Sequence, residues 1–158
     1  MTCPDAAFPD PVMRRAGPDD VPALMMLQQA AYRPNADILG VEPLPLLADY
    51  DEVLRQSDIW LAVDDVAVLG ALILQAGTDH LLIWSVAVSP EAQGRSIGRC
   101  LLAFAEEEAR RLGLRLLRLY TGEKLTKNIA WYKRSGFAIE RVEALDDRRL
   151  VHMVKQLG

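Results

Sequence analysis

Residues 86–99 read VAVSPEAQGRSIGR, and no other stretch of this chain narrows its possible folds as far. A β-branched run stops at Ser89-Pro90, a polar loop with glycines follows, and an amphipathic helix begins within a few residues. A strand feeding a helix in this way leaves free backbone N–H groups at the helix N-terminus, where they and the helix dipole attract an anion. Gly94, Ser96 and Gly98 carry little or no side chain, so a diphosphate can approach the backbone there. Arg95 and Arg99 offer charge-assisted contacts to phosphate oxygens. Taken alone, the loop is equally compatible with a plain tight turn. It is not a nucleoside-triphosphate loop, because no Gly-Lys-Ser/Thr ending is present. Nor does its glycine spacing fit the dinucleotide fingerprint.

The 158 residues are 51% hydrophobic and 25% charged, which suits one domain with a proper core. The expected domain runs over residues 12–158, after a disordered start at 1–11 that holds Pro4, Pro9 and Pro11. A net charge of -4 argues against nucleic acid as a main partner, since that binding needs a broad basic surface. No apolar run reaches the ~20 residues that span a bilayer, and the start lacks the basic and apolar regions of a secretion signal. The expectation is therefore a cytoplasmic protein with no membrane partner. Cys3 and Cys100 make no disulfide framework, and Cys100, set among apolar residues, reads as a small buried hydrophobe. No His/Cys cluster has metal-ligand spacing, so no metal is expected.

The order of elements predicted along the chain is β-α-α-β-β-β-α-β-α-β-β. A strand at 12–16 precedes a helix capped by Asp19 or Asp20 that runs to about Tyr32. Residues 33–43 read as irregular and 44–55 as one helix with a proline in its first turn. Three strands follow, at 59–63, 66–75 and 80–88, the first two joined by an Asp64-Asp65 turn and the second marked by Gly70 as a bulge candidate. The helix from 94 to 112 places Ile97, Leu101, Ala105, Ala109 and Leu112 on one face. A strand at 114–120, a helix at 126–135 and a hairpin with arms at 137–145 and 148–156 complete the chain. The pattern mixes antiparallel hairpins with one β-α-β crossover, and the anion loop lies inside that crossover.

Together, the element order and two motifs resemble the GNAT superfamily of acyl-CoA-dependent N-acetyltransferases over nearly the whole chain. The first motif is Gln93-Gly94-Arg95-Ser96-Ile97-Gly98, similar to the family's Gln/Arg-x-x-Gly-x-Gly/Ala, with Ser96 where glycine is usual. The second, residues 126–137, looks like the family's Asn-x-Ala-x-Tyr…Gly-Phe signature and carries Asn128, Tyr132, Gly136 and Phe137. The fold implied is α+β, a twisted, mostly antiparallel sheet of about seven strands with about four helices on its two faces. The resemblance further implies acetyl-CoA as co-substrate. Val86, Ala87 and Val88 would pair with its pantetheine arm through the edge that opens where two strands diverge, and 93–98 would hold the pyrophosphate. Asn128 would bond the pantetheine and Tyr132 would lie near the sulfur. Four residues apart on a helix, Asn128 and Tyr132 can face one groove. On residue type alone both are equally ordinary helix or core positions.

Acetyl transfer requires an unprotonated amine, a stabilised oxyanion and a proton for the leaving thiolate. Tyr132 is the candidate acid. In many family members a glutamate precedes the position of Val86, but here the strand reads Leu82-Ile83-Trp84-Ser85. Glu123, in the loop after the 114–120 strand, is then the candidate base, unless it is an ordinary exposed carboxylate or the acceptor has a low amine pKa. Trp84 and Tyr32 are the candidate acceptor-binding residues, although Trp84 is as readily explained by packing under a helix. His80 beside Asp79 reads as a solvated turn residue, and His152 has no visible partner. The leading expectation is transfer of acetyl from acetyl-CoA to a small-molecule amine. Alternatives are a non-catalytic acyl-CoA-binding domain and a protein or peptide N-acetyltransferase. A homodimer is compatible with the resemblance.

Overall fold

The computed structural model describes residues 10–158, so the first nine residues of the expected disordered start lie outside it. Seven strands form one sheet: β1 (Val12–Arg15), β2 (Asp58–Val63), β3 (Val68–Ala76), β4 (Leu81–Val88), β5 (Leu116–Gly122), β6 (Ala138–Ala144) and β7 (Arg149–Gln156). Their spatial order is β1-β2-β3-β4-β5-β7-β6. All neighbours are antiparallel except β4 and β5. Five helices cover it: α1 (Val21–Leu39), α2 (Leu44–Leu47), α3 (Tyr50–Gln56), α4 (Ile97–Arg111) and α5 (Thr126–Arg134). The α+β architecture is the expected one, with one helix more.

Each face of the sheet has its own core. On one face Leu72, Leu74, Leu81, Ile83, Leu117, Leu119 and Met153 pack against Ile97, Leu101, Ala105 and Ala109 of α4. On the other, Ile59, Leu61, Ala71, Ile73 and Ala87 pack against Leu24 and Leu27 of α1 and Tyr50 of α3. Leu112, assigned by its spacing to the buried face of α4, is the C-cap and is 41% exposed. Cys100 is fully buried among the apolar residues of α4.

Two boundaries differ from expectation. α1 continues to Leu39, straight through Pro34, where an irregular segment was expected. Proline removes one helical hydrogen bond, a loss offset here by anchoring on both sides of it. Tyr32 bonds to β4, and Leu39 is buried against Gly122 of β5. The single helix expected at 44–55 is instead two, α2 and α3. Asp49 breaks it by capping α3, its carboxylate accepting from the N–H groups of Asp51 and Glu52.

Irregularities in the central strands position the cleft. A register shift opposite Gly70, at Ala62 and Val63, bends the outer hairpin. A second shift in the β3–β4 ladder leaves Trp84 without a partner, between Ser85, opposite Ile73, and Ile83, opposite Leu74. Such a bulge interrupts the alternation of side chains. Leu81 and Ile83 face α4, whereas the adjacent Trp84 and Ser85 both face α1. Past this point β4 and β5 separate. Their pairing consists of Leu81 with Leu117 and Leu82 with Arg118 alone.

Candidate active site

The parting of β4 and β5 opens a cleft of about 870 Å³. Residues 83–88 of β4 form one wall, 119–122 of β5 another, and α5 contributes Lys127, Asn128, Trp131 and Tyr132. Gln93, Gly94 and residues 96–99 close one end, while Ala31, Tyr32, Asn35, Leu39 and the segment 43–45 close the other. Of the residues singled out from sequence, Tyr32, Trp84, 86–88, Gln93, Gly94, Ser96, Ile97, Gly98, Arg99, Asn128 and Tyr132 all line this one cavity.

At the loop end, Gly94 has φ +86° and Ser96 φ +60°. For serine this left-handed conformation is strained, by about 1 kcal/mol or more. It turns the chain so that α4 begins at the next residue. Gly98 is required by a neighbour: a Cβ there would stand 3.0 Å from the Trp131 ring. This contact brings α5 against the first turn of α4. Arg95 does not line the cleft; its guanidinium lies 3.6 Å from Asp64, in the β2–β3 turn. Arg99 does line it, and Lys127 joins it as a second cation. The signal for Lys127 was its place in the first turn of α5, one residue before Asn128.

Tyr132 stacks at a tilt on Trp131, 5.0 Å between ring centroids, and edge-on to Phe137 at 5.9 Å. Burial raises its pKa, and the nearby Tyr32 raises it further. The hydroxyl therefore keeps its proton at neutral pH.

The opposite end is aromatic. Trp84 lines the cleft and also packs edge-on against Tyr50, with centroids 6.3 Å apart. Tyr120 stands at this end too, and burial raises its pKa. Burial likewise raises Tyr32. The Tyr32 hydroxyl bonds Ser85 Oγ at 2.9 Å and donates to the Val86 carbonyl at 3.1 Å. Arg148 lines this end, donating to the Glu42 carbonyl at 2.7 Å and pairing with Asp147.

Among the described residues, every charged side chain lining the cleft is cationic: Arg99, Lys127 and Arg148. Glu123 stands elsewhere, half-exposed and 3.1 Å from Arg149. His152 does have a partner, contrary to the sequence reading, because β6 brings Glu143 within 2.8 Å of its Nε2. Its ring lies beside that of Tyr120, outside the cleft wall. His80 bonds Asp79 at 2.7 Å and does not line the cleft. Among the described residues no group of three or more His, Cys, Asp or Glu is placed to hold a metal ion. No described helix is long and apolar enough to cross a membrane.

This fold is shared with known proteins. Residues 22–137 match the acetyltransferase (GNAT) family. The chain belongs to that family. Among curated relatives, a mycothiol acetyltransferase of Cellulomonas flavigena is 41% identical over 63 residues, 40% of this chain and 18% of its own. An IAA acetyltransferase of Azospirillum brasilense is 49% identical over 51 residues, 32% of this chain and 33% of its own. The matched segments thus span no more than a third of either relative. Among solved structures, a GNAT acetyltransferase from Elizabethkingia anophelis with acetyl-CoA bound superposes with a TM-score of 0.70 at 17% identity. That match covers 95% of this chain and 100% of the other.

Proposed function

We propose that this GNAT-family chain transfers the acetyl group of acetyl-CoA to the amine of a small-molecule acceptor by direct attack on the thioester. The observation that carries this reading is the cleft itself. One cavity holds the loop amides and Arg99 at one end, the unpaired edge of β4 along its length, and an aromatic pocket at the other.

In this reading the amides of residues 93–98 and the cations Arg99 and Lys127 hold the pyrophosphate, at the N-terminus of α4. Residues 86–88 offer backbone donors and acceptors to the pantetheine arm as an added strand would. Asn128 supplies one more polar contact. The amine nitrogen attacks the thioester carbon between Trp84, Tyr32 and Tyr132. A backbone N–H of β4 meets the oxyanion. As the new C–N bond forms and the C–S bond breaks, the nitrogen gives its proton to water and CoA leaves as a thiolate. Tyr132 donates a hydrogen bond to that sulfur. With its pKa raised, it does so without giving up its proton fully, and the thiol completes its protonation from solvent.

Among the described residues no carboxylate lines the cleft to take the amine's proton, and Glu123 is held by Arg149 outside it. The acceptor is accordingly one that reaches the site unprotonated, and no dedicated base is invoked. The same observation favours the second reading, a domain that binds acyl-CoA without turnover. The chemistry proposed is that of a cytoplasmic enzyme.

Calorimetric titration with acetyl-CoA, followed by release of free thiol across a panel of amines, tests both. Micromolar binding with thiol release supports transfer. Binding without release for any amine leaves the non-catalytic domain, and absence of binding removes both.

A further inference from the structure

Gln28 is fully buried, the most enclosed polar side chain of α1, and its Oε1 has no hydrogen-bond partner. An orphaned acceptor in a core is costly and calls for a reason. Its amide nitrogen shows the reason. Nε2 donates to the Tyr50 hydroxyl at 2.8 Å and to Ser85 Oγ at 3.0 Å.

The direction of these bonds is fixed by their far ends. Tyr50 has one proton and gives it to the Pro45 carbonyl at 2.6 Å, so toward Gln28 it can only accept. That places the amide nitrogen, not the oxygen, on Tyr50 and Ser85, and it leaves Oε1 alone on the far side. Ser85 Oγ, having accepted from Gln28, passes its own proton to the Tyr32 hydroxyl. Tyr32 in turn donates to the Val86 carbonyl, which can only accept. Every proton in the chain is committed to a protein acceptor. What remains at Tyr32 Oη is a lone pair, on a residue that lines the cavity at the β4 bulge.

We infer that Gln28 is a positioning residue for the reaction. It sets the polarity of the Ser85–Tyr32 pair, so that Tyr32 Oη accepts an N–H of the acceptor amine and aims the nitrogen lone pair at the thioester. Gln28 itself never touches the substrate. The chain is not a proton wire, because an amide nitrogen that donates in both directions cannot relay a proton. This inference rests on the acetyl-transfer reading above.

The test uses Gln28→Met, Tyr32→Phe and the double variant, with an amine that the wild type acetylates. Methionine keeps the volume and removes both donors together with the orphaned oxygen, so the melting temperature is expected to hold or rise. Each single variant is expected to lower kcat about tenfold, the worth of one oriented hydrogen bond, with KM for acetyl-CoA unchanged. The double variant is expected to be no slower than Tyr32→Phe alone, because both remove the same contact. Ser85→Ala, which breaks the same chain from β4, should reproduce the loss if the Gln28 variant does not fold. An unchanged kcat in Gln28→Met or Ser85→Ala overturns the inference, as does a full multiplicative loss in the double variant. If the wild type acetylates no amine, the acetyl-transfer reading fails and takes this inference with it. With turnover in the wild type, only the inference is at stake.

Discussion

Gly98 and Trp131 share one space: a single methyl group at 98 would stand 3.0 Å from the indole ring. The glycine at the start of α4 therefore serves helix packing at least as directly as ligand approach. Gly98→Ala is expected to push Trp131, and Asn128 and Tyr132 with it, into the cleft. Overpacking of this kind costs about 1–3 kcal/mol. Weaker binding of CoA by tenfold or more in calorimetry, with a lower melting temperature, is the expected result. Trp131→Leu in the same background should restore part of the affinity.

Ser96 sits at φ +60°, where glycine is at ease and serine is not. Ser96→Gly relieves that strain, and the extra freedom of glycine in the unfolded chain offsets part of the gain. Stability is expected to rise by up to about 1 kcal/mol. Affinity for CoA should be preserved, since the backbone amide is retained. A denaturant titration that shows a loss of stability would mean that the turn is not strained as its geometry states.

Tyr132→Phe removes a hydroxyl that stays protonated because burial raises its pKa. Turnover is expected to fall about 10²-fold, within the usual range for a positioned proton donor, while CoA binding stays within a factor of two. The raised pKa also excludes Tyr132 as the source of any rate loss between pH 6 and about pH 9. A basic limb in that range that vanishes in Tyr132→Phe would refute its role as a neutral donor.

Asp20 is held at a pKa of about 2 by the Arg14 guanidinium and the N–H of Gly17. Its folded pKa lies below its unfolded value near 4, so the stability it adds is present above pH 4 and is lost as pH falls from about 4 to about 2. With Arg14 half-exposed, solvent screening limits this to about 1 kcal/mol. Asp20→Asn is expected to cost that amount at pH 7 and almost nothing at pH 2, as read by paired thermal melts.

The sheet's antiparallel hairpins, its single crossover and the tight loop that starts α4 were legible because each rests on local pattern: alternation, turn residues and helical spacing. The cleft's second wall was not. Nothing in the run 81–88 marks Trp84 as the residue that drops out of register, so the pairing of Trp84 and Ser85 on one face had to come from the β3 ladder. Pro34 argued for a break in α1, yet the anchors that carry the helix past it, Val86 and Gly122, are more than fifty residues away. Gln28 did carry a signal, a polar residue four positions from both Leu24 and Tyr32 on the buried stripe. Reading it required knowing that Ser85 would lie beneath. Likewise His152 meets Glu143 only through the β6–β7 ladder, across a strand register that spacing alone does not set.

β4 and β5 are held together by two residue pairs, and beyond them the link between the halves of the sheet passes through side chains, Leu39 of α1 seated on Gly122 among them. A seam so short leaves the load between the two halves to α4, whose buried face packs on strands from both sides of it. The turn and a half of α1 past Pro34 braces the seam from the opposite face, where Leu39 meets Gly122.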